Sequence, residues 1–161
     1  MLNLNKKNFI KIVFLISAFA LIFAYFVEYV LGHQPCNLCL IERIPYMVAL
    51  VIIVFNYNFD HLEKYFILSL ILVFFAATLL SLYHMGIEQG FIEESLVCDL
   101  QNSQKILNKD ELLKELQAKK VSCKDVTFKI FGLSLTTLNI IISLLVTIIF
   151  IKIYLNYEKN R

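Results

Sequence analysis

The sequence predicts an all-α membrane protein, an antiparallel four-helix transmembrane bundle whose long outer loop carries a short amphipathic helix. Three observations lead there. The 161 residues are 59% hydrophobic with a mean hydropathy of +0.71, whereas soluble domains are about 45–50% apolar. Four apolar stretches are each long enough, at about 1.5 Å rise per residue, to cross a hydrocarbon core of about 30 Å. Only 4 Gly and 2 Pro interrupt the chain, which favours long helices over many turns. The length suits one integral-membrane domain over residues 1–161. A net charge of +2 leaves no electrostatic footprint for nucleic acid.

The spans are read at about residues 10–31, 38–55, 65–85 and 131–154. Helix is the default for each, because a lone span must satisfy its backbone polar groups internally. Lys6, Lys7 and Lys11 resemble the basic start of a signal peptide. The apolar run continues past Ala18-Phe19-Ala20 without a polar break, so it reads as a retained first span. Residues 32–37 form a short turn with Pro35, residues 56–64 a second short loop, and residues 86–130 a long polar segment.

Charge orients the bundle. The N-terminus, the 56–64 loop and the C-terminal end hold Lys6, Lys7, Lys11, Lys64, Lys152, Lys159 and Arg161 against Asp60, Glu63 and Glu158, a net of +4. The long segment holds seven Lys against eight Asp or Glu, a net of −1. Both termini are therefore expected in the cytoplasm. The 32–37 turn, the long segment and all 4 cysteines are expected on the outer side, where disulfides persist. Within the long segment, residues 106–121 read as a short amphipathic helix, with Ile106, Leu113 and Leu116 on one face, lying on the bilayer or the bundle or docking a partner.

Pro35-Cys36-Asn37-Leu38-Cys39 is the strongest local signal, a C-x-x-C where a membrane helix begins. Unpaired N–H groups and the positive dipole end of a helix N-terminus favour a thiolate over a thiol. The alternatives are a disulfide that staples the turn and half of a zinc site. Arg43 follows Cys39 by four residues, on the same helix face. There it either snorkels to the interface, holds a thiolate or polarises a carbonyl oxygen. Glu42 is read as a partner for a charge. Cys98 and Cys123 are spaced too loosely for a zinc ribbon and suit a disulfide closing a loop. Four cysteines allow three pairings, and spacing does not choose among them. His84, in Tyr83-His84-Met85-Gly86, lies at the outer end of the third span. His33 and His61 are read as having no functional part.

Taken together, these segments resemble the DsbB family over nearly the whole chain. The run from Pro35 to Arg43 resembles that family's hallmark, Tyr83-His84-Met85-Gly86-Ile87-Glu88 its third-span exit, and Phe131-Gly132-Leu133-Ser134-Leu135 the start of its fourth span. Cys98 and Cys123 match its loop pair. The chain departs from the commoner pattern in having no Trp, with Leu138 before Asn139 where many members carry one. The resemblance implies an enzyme, a protein-dithiol:quinone oxidoreductase of the bacterial inner membrane. Its implied partners are a periplasmic DsbA-like thioredoxin-fold protein and the membrane quinone pool (ubiquinone or menaquinone). It further implies a Cys98–Cys123 disulfide that accepts electrons from the partner, with Cys98 forming the mixed disulfide. Cys123 then attacks Cys36, Cys39 meets the quinone, and Arg43, His84 and Glu42 surround it. No resident metal is expected. Two other classes compete with it: a membrane metal-binding protein using four thiolates, which retains metal at neutral pH, and an assembly protein whose disulfides stay oxidised beside a reduced partner.

Overall fold

The computed structural model describes residues 6–58, 63–93, 98, 122–124, 129–130 and 132–159. The chain runs through α1 (Lys6–Tyr29), α2 (Asn37–Ile41), α3 (Ile44–Asn58), α4 (Glu63–Glu88), a two-residue antiparallel ladder of β1 (Lys129–Ile130) with β2 (Leu133–Ser134), and α5 (Leu135–Lys159). Four stretches, Asn8–Tyr29, Asn37–Asn56, Glu63–Glu88 and Leu135–Asn156, are long and apolar enough to cross a membrane. The amphipathic helix expected at residues 106–121 and His61 lie outside the described residues.

The second span is not the continuous helix expected over residues 38–55. It breaks at Glu42 and Arg43, between α2 and α3. Pro45 supplies the reason. It has no N–H to offer the carbonyl of Ile41, and its ring crowds that carbonyl, whereas in the first turn of a new helix neither defect matters. Cys39 and Arg43 therefore do not share one helix face.

Packing is organised by a polar stripe on each of the two most closely associated helices, α4 and α5. Thr78, Ser81, His84 and Glu88 recur every three or four residues on α4, as do Thr136, Asn139, Ser143 and Thr147 on α5. The stripes meet. Thr78 Oγ1 donates to Ser143 Oγ at 3.0 Å, Asn139 Nδ2 to Ser81 Oγ at 2.8 Å, and Thr136 Oγ1 to Glu88 Oε1 at 2.6 Å. In lipid, apolar contact alone does not choose a partner or a register, so such bonds, each worth about 0.6 kcal/mol on average, specify how the helices meet.

Alongside the stripes runs an aromatic column. Phe9 of α1 meets Phe150 of α5 with ring centroids 5.1 Å apart. Phe150 meets Phe74 of α4 at 6.3 Å, and Phe74 meets Tyr46 of α3 at 5.9 Å. The Phe9–Phe150 contact closes the bundle at one end. At the other end α1 and α5 are separated by a cavity, described below. Helix ends are capped locally. Gly90, at φ 78°, ends α4 with Phe91 N–H bonded to Gly86 O and Gly90 N–H to Ile87 O, a left-handed closure that glycine adopts without steric cost. Ser134 begins α5 by accepting the Thr137 N–H at 3.2 Å.

Phe74 is 1% exposed, and its neighbour Phe75 is 52% exposed on the outer surface. Phe74→Ala is expected to lower stability by about 3–5 kcal/mol through loss of packing and the cavity left behind. Phe75→Ala should stay within about 0.5 kcal/mol. Unfolding of the two variants in mixed micelles checks this; equal losses would contradict the assigned faces.

Candidate functional site

The site forms at the end of the bundle where α1 and α4 finish and α2 and α5 begin. Cys36 is the residue preceding α2, in extended conformation (φ −71°, ψ 167°), and its sulfur accepts the Cys39 N–H at 3.3 Å. The two sulfurs lie 2.7 Å apart as free thiols. His84 Nε2 is 3.5 Å from Cys36 Sγ. These interactions act on Cys36 in one direction. The Cys39 thiol donated to it, the hydrogen bond and charge of His84, and the Cys39 N–H all favour the thiolate. They outweigh burial, which raises the pKa, and hold Cys36 at about 5.

Glu42 organises the next layer. Its Oε1 is 2.9 Å from His84 Nδ1 and its Oε2 accepts from Asn139 Nδ2 at 3.0 Å. Asn139 Oδ1 in turn accepts the hydroxyl of Tyr46. With Nδ1 on the carboxylate, the His84 ring is fixed with Nε2 toward the sulfurs. Thr136 and Ser134 donate to the two oxygens of Glu88 at 2.6 and 2.8 Å, and Glu88 Oε1 lies 3.9 Å from His84 Nε2.

Arg43 turns the other way. Its Nη1 is 2.5 Å from Glu28 Oε2, and its guanidinium lies 4.9 Å from the ring centre of Tyr25, both residues of α1. Glu42, expected to partner a charge, faces His84. Both charges are largely buried, with side-chain exposures of 10% and 19%.

Cys98 and Cys123 are joined in a disulfide with Cα atoms 6.1 Å apart, an ordinary span for such a bond. Cys123 is buried with Cys36, Leu38 and Ile87, and Cys39 and Cys98 pack against that cluster. Asn37 Nδ2 also donates to Cys98 O at 3.4 Å. A disulfide and a dithiol therefore share one buried cluster, the proximity that thiol–disulfide exchange requires.

Beside the sulfurs a cavity of about 710 Å³ opens between α1 and α5. Leu15, Phe19, Phe23, Leu138 and Ile142 form apolar wall, while Cys39, Arg43 and His84 lie at its polar end. Its size falls within the roughly 300–1,000 Å³ of small-molecule sites, and its mainly apolar lining with a few convergent polar groups is theirs too.

All seven expected site residues converge here. Cys36, Cys39, Cys123, Glu42, Arg43 and His84 line the cavity, and Cys98 reaches it through the disulfide. Sequence reasoning missed Glu28, Tyr25, Thr136, Asn139 and Glu88, and set aside His33, which also lines the cavity. Glu28 carried a usable signal, because a carboxylate inside an apolar span is a functional candidate by default. The evenly spaced polar residues of α4 and α5 carried another.

A family model described as "Disulfide bond formation protein DsbB" matches residues 6–153. A protein of Rickettsia prowazekii (strain Madrid E), the uncharacterized protein RP370, is 28% identical over 99% of this chain and 96% of its own length. No solved structure matches.

In the reduced pair, the Cys36 thiolate should be present above about pH 5 and lost as pH falls through that value. Alkylation of Cys36 by iodoacetamide, followed by mass spectrometry, should show its half-maximal rate near pH 5, and His84→Ala should move the midpoint upward. A wild-type midpoint near the ordinary thiol value of about 8.5 would contradict the electrostatic account.

Proposed function

The chain belongs to the DsbB family of disulfide bond formation proteins, and we propose that it is a thiol oxidase that reoxidises a DsbA-like dithiol partner and delivers the electrons to a membrane quinone. The observation that carries this reading is the single buried cluster that holds Cys123 together with Cys36, which sets an exchangeable disulfide beside a second cysteine pair at the polar end of an apolar cavity.

The steps balance as two exchanges and one oxidation. A partner thiolate attacks Cys98, forming a mixed disulfide and releasing Cys123 as a thiolate. Cys123 attacks Cys36 of an oxidised Cys36–Cys39 pair, and Cys39 leaves as the thiolate. The partner's second thiol then displaces Cys98, which resolves the Cys36–Cys123 bond, so that the partner and the loop pair end as disulfides and Cys36 and Cys39 as thiols. The cysteine state of the structure, with Cys98–Cys123 bonded and Cys36 and Cys39 free, corresponds to this stage.

A quinone of the ubiquinone or menaquinone class, when bound, supplies the two-electron, two-proton acceptor that returns the pair to a disulfide. The cavity suits such a molecule, with apolar walls for a polyprenyl-bearing ring and Cys39, Arg43 and His84 at the polar end. Arg43, steered by Glu28 and Tyr25, places a fixed positive charge where negative charge builds. His84 holds a proton position at Nε2 beside Cys36, oriented by Glu42. The four apolar spans fit an inner-membrane protein with its cysteines on the periplasmic side.

Anaerobic mixing of the protein with a reduced DsbA-like partner and a soluble quinone tests the reading. One quinone lost per partner disulfide formed is expected, and none with Cys39→Ser. Arg43→Ala should slow quinone loss by roughly 100-fold while the partner still forms its mixed disulfide with Cys98. Wild-type rates for Arg43→Ala at limiting quinone would remove Arg43 from this role, and no quinone loss by wild type would remove the function.

A further inference from the structure

We propose that the dithiol form of the Cys36–Cys39 pair, together with His84, is a binding site for one soft divalent cation of the Zn²⁺ type, and that its occupancy holds the pair reduced and blocks turnover. Three donor atoms of the right chemistry converge. Cys36 Sγ and Cys39 Sγ are 2.7 Å apart, His84 Nε2 is 3.5 Å from Cys36 Sγ, and all three lie within 4.8 Å of one another. Thiolate and imidazole are the ligands that select zinc-like ions, and C-x-x-C is a spacing by which two thiolates chelate one. Zn–S bonds of about 2.3 Å set tetrahedral sulfurs about 3.8 Å apart. The pair must therefore open by about 1 Å, a side-chain rotation of Cys39 in the first turn of a five-residue helix.

Two further observations separate this cluster from accidental proximity. His84 is 1% exposed and its Nδ1 sits 2.9 Å from Glu42 Oε1. A carboxylate on the far nitrogen fixes ring orientation and raises ligand basicity, as it does for most metal-binding histidines. Glu88 Oε1 lies 3.9 Å from Nε2 but outside the cluster of three donor atoms, so the fourth position is left to water, as in zinc sites with three protein ligands. Binding releases the Cys39 thiol proton and the His84 Nε2 proton, Cys36 being a thiolate already, and the two thiolates offset the divalent charge, which lowers the cost of holding it in a buried place.

The site exists in one redox state only. In the disulfide form both sulfurs are committed to the S–S bond and the ligand set is gone. Metal bound to the dithiol withdraws both thiolate lone pairs from further oxidation, and a chelator reverses the block. The blocking half of the inference rests on the thiol-oxidase reading; the binding half does not.

The test uses the full-length chain in detergent carrying Cys98→Ser and Cys123→Ser, so that only this pair can bind. Anaerobic titration with Cd²⁺ is followed by thiolate-to-metal charge-transfer absorbance, and Zn²⁺ is measured by competition. One ion per chain is expected for the dithiol form and none for the disulfide form. Glu42→Gln, which leaves all ligands in place, should weaken binding by about 10- to 100-fold, and His84→Ala by at least as much, with circular dichroism reporting the fold of each. A dithiol form that takes up no metal overturns the site. So does wild-type affinity in a folded Glu42→Gln or His84→Ala variant, because it would reduce the site to a bare dithiol chelate. In the four-cysteine protein, Zn²⁺ added to the reduced form should stop oxidation by quinone until a chelator is added. Bound metal with undiminished oxidation overturns the block, whereas absence of turnover without metal tells against the oxidase reading and leaves the titration to decide binding.

Discussion

Glu42 and Arg43 leave the chain at the break between α2 and α3 and reach three other helices. Glu42 takes His84 on α4 and Asn139 on α5, and Arg43 takes Glu28 on α1. A carboxylate or guanidinium in an apolar setting is costly unless paired, and removing one partner of a buried pair costs about 3–5 kcal/mol. This penalty makes the pairings selective. In lipid, where apolar side chains gain little by choosing one helix over another, two adjacent ionisable residues fix which helices assemble and at what height. Pro45 makes the arrangement possible, since a continuous helix would hold Glu42 and Arg43 in fixed, successive directions.

The same break produces the chemistry. Because α2 is only five residues long, its N-terminus stands just above the charged pair, and Cys36 sits where the Cys39 N–H, a thiol and an imidazole all favour negative charge. Cys123 packs there with Leu38 and Ile87. The cavity begins where α1 and α5 diverge, so one polar end serves both a loop disulfide and whatever enters from the apolar side. On the proposed function, this lets thiol chemistry and a lipid-soluble acceptor meet without either crossing the bundle.

Much of this was legible in the residues. Long apolar runs marked the four spans because lipid leaves few other ways to satisfy a backbone. Proline before a C-x-x-C at a span boundary marked the reactive turn. The interruption of the second span was not foreseen, although Pro45 was its local signal, because apolar length alone does not distinguish one helix from two in series. The partners of Glu42 and Arg43 were harder to see. Glu28 and Asn139 are remote in sequence, and only the folded bundle brings them together. The stripes from Thr78 to Glu88 and from Thr136 to Thr147 were present as spacing, but which helix each would face is a property of packing. The Cys98–Cys123 bond likewise came from family likeness, since three pairings were open by count alone.

The central claim is that the loop pair and the C-x-x-C pair exchange directly, through Cys123 and Cys36. Replacing Cys98 and Cys39 by Ser leaves those two sulfurs as the only cysteines. Mild oxidation followed by proteolysis and mass spectrometry should then yield a Cys36–Cys123 disulfide in nearly every chain, formed within a monomer. Free thiols, or bonds between separate chains, would show that the two pairs do not communicate and would contradict the account.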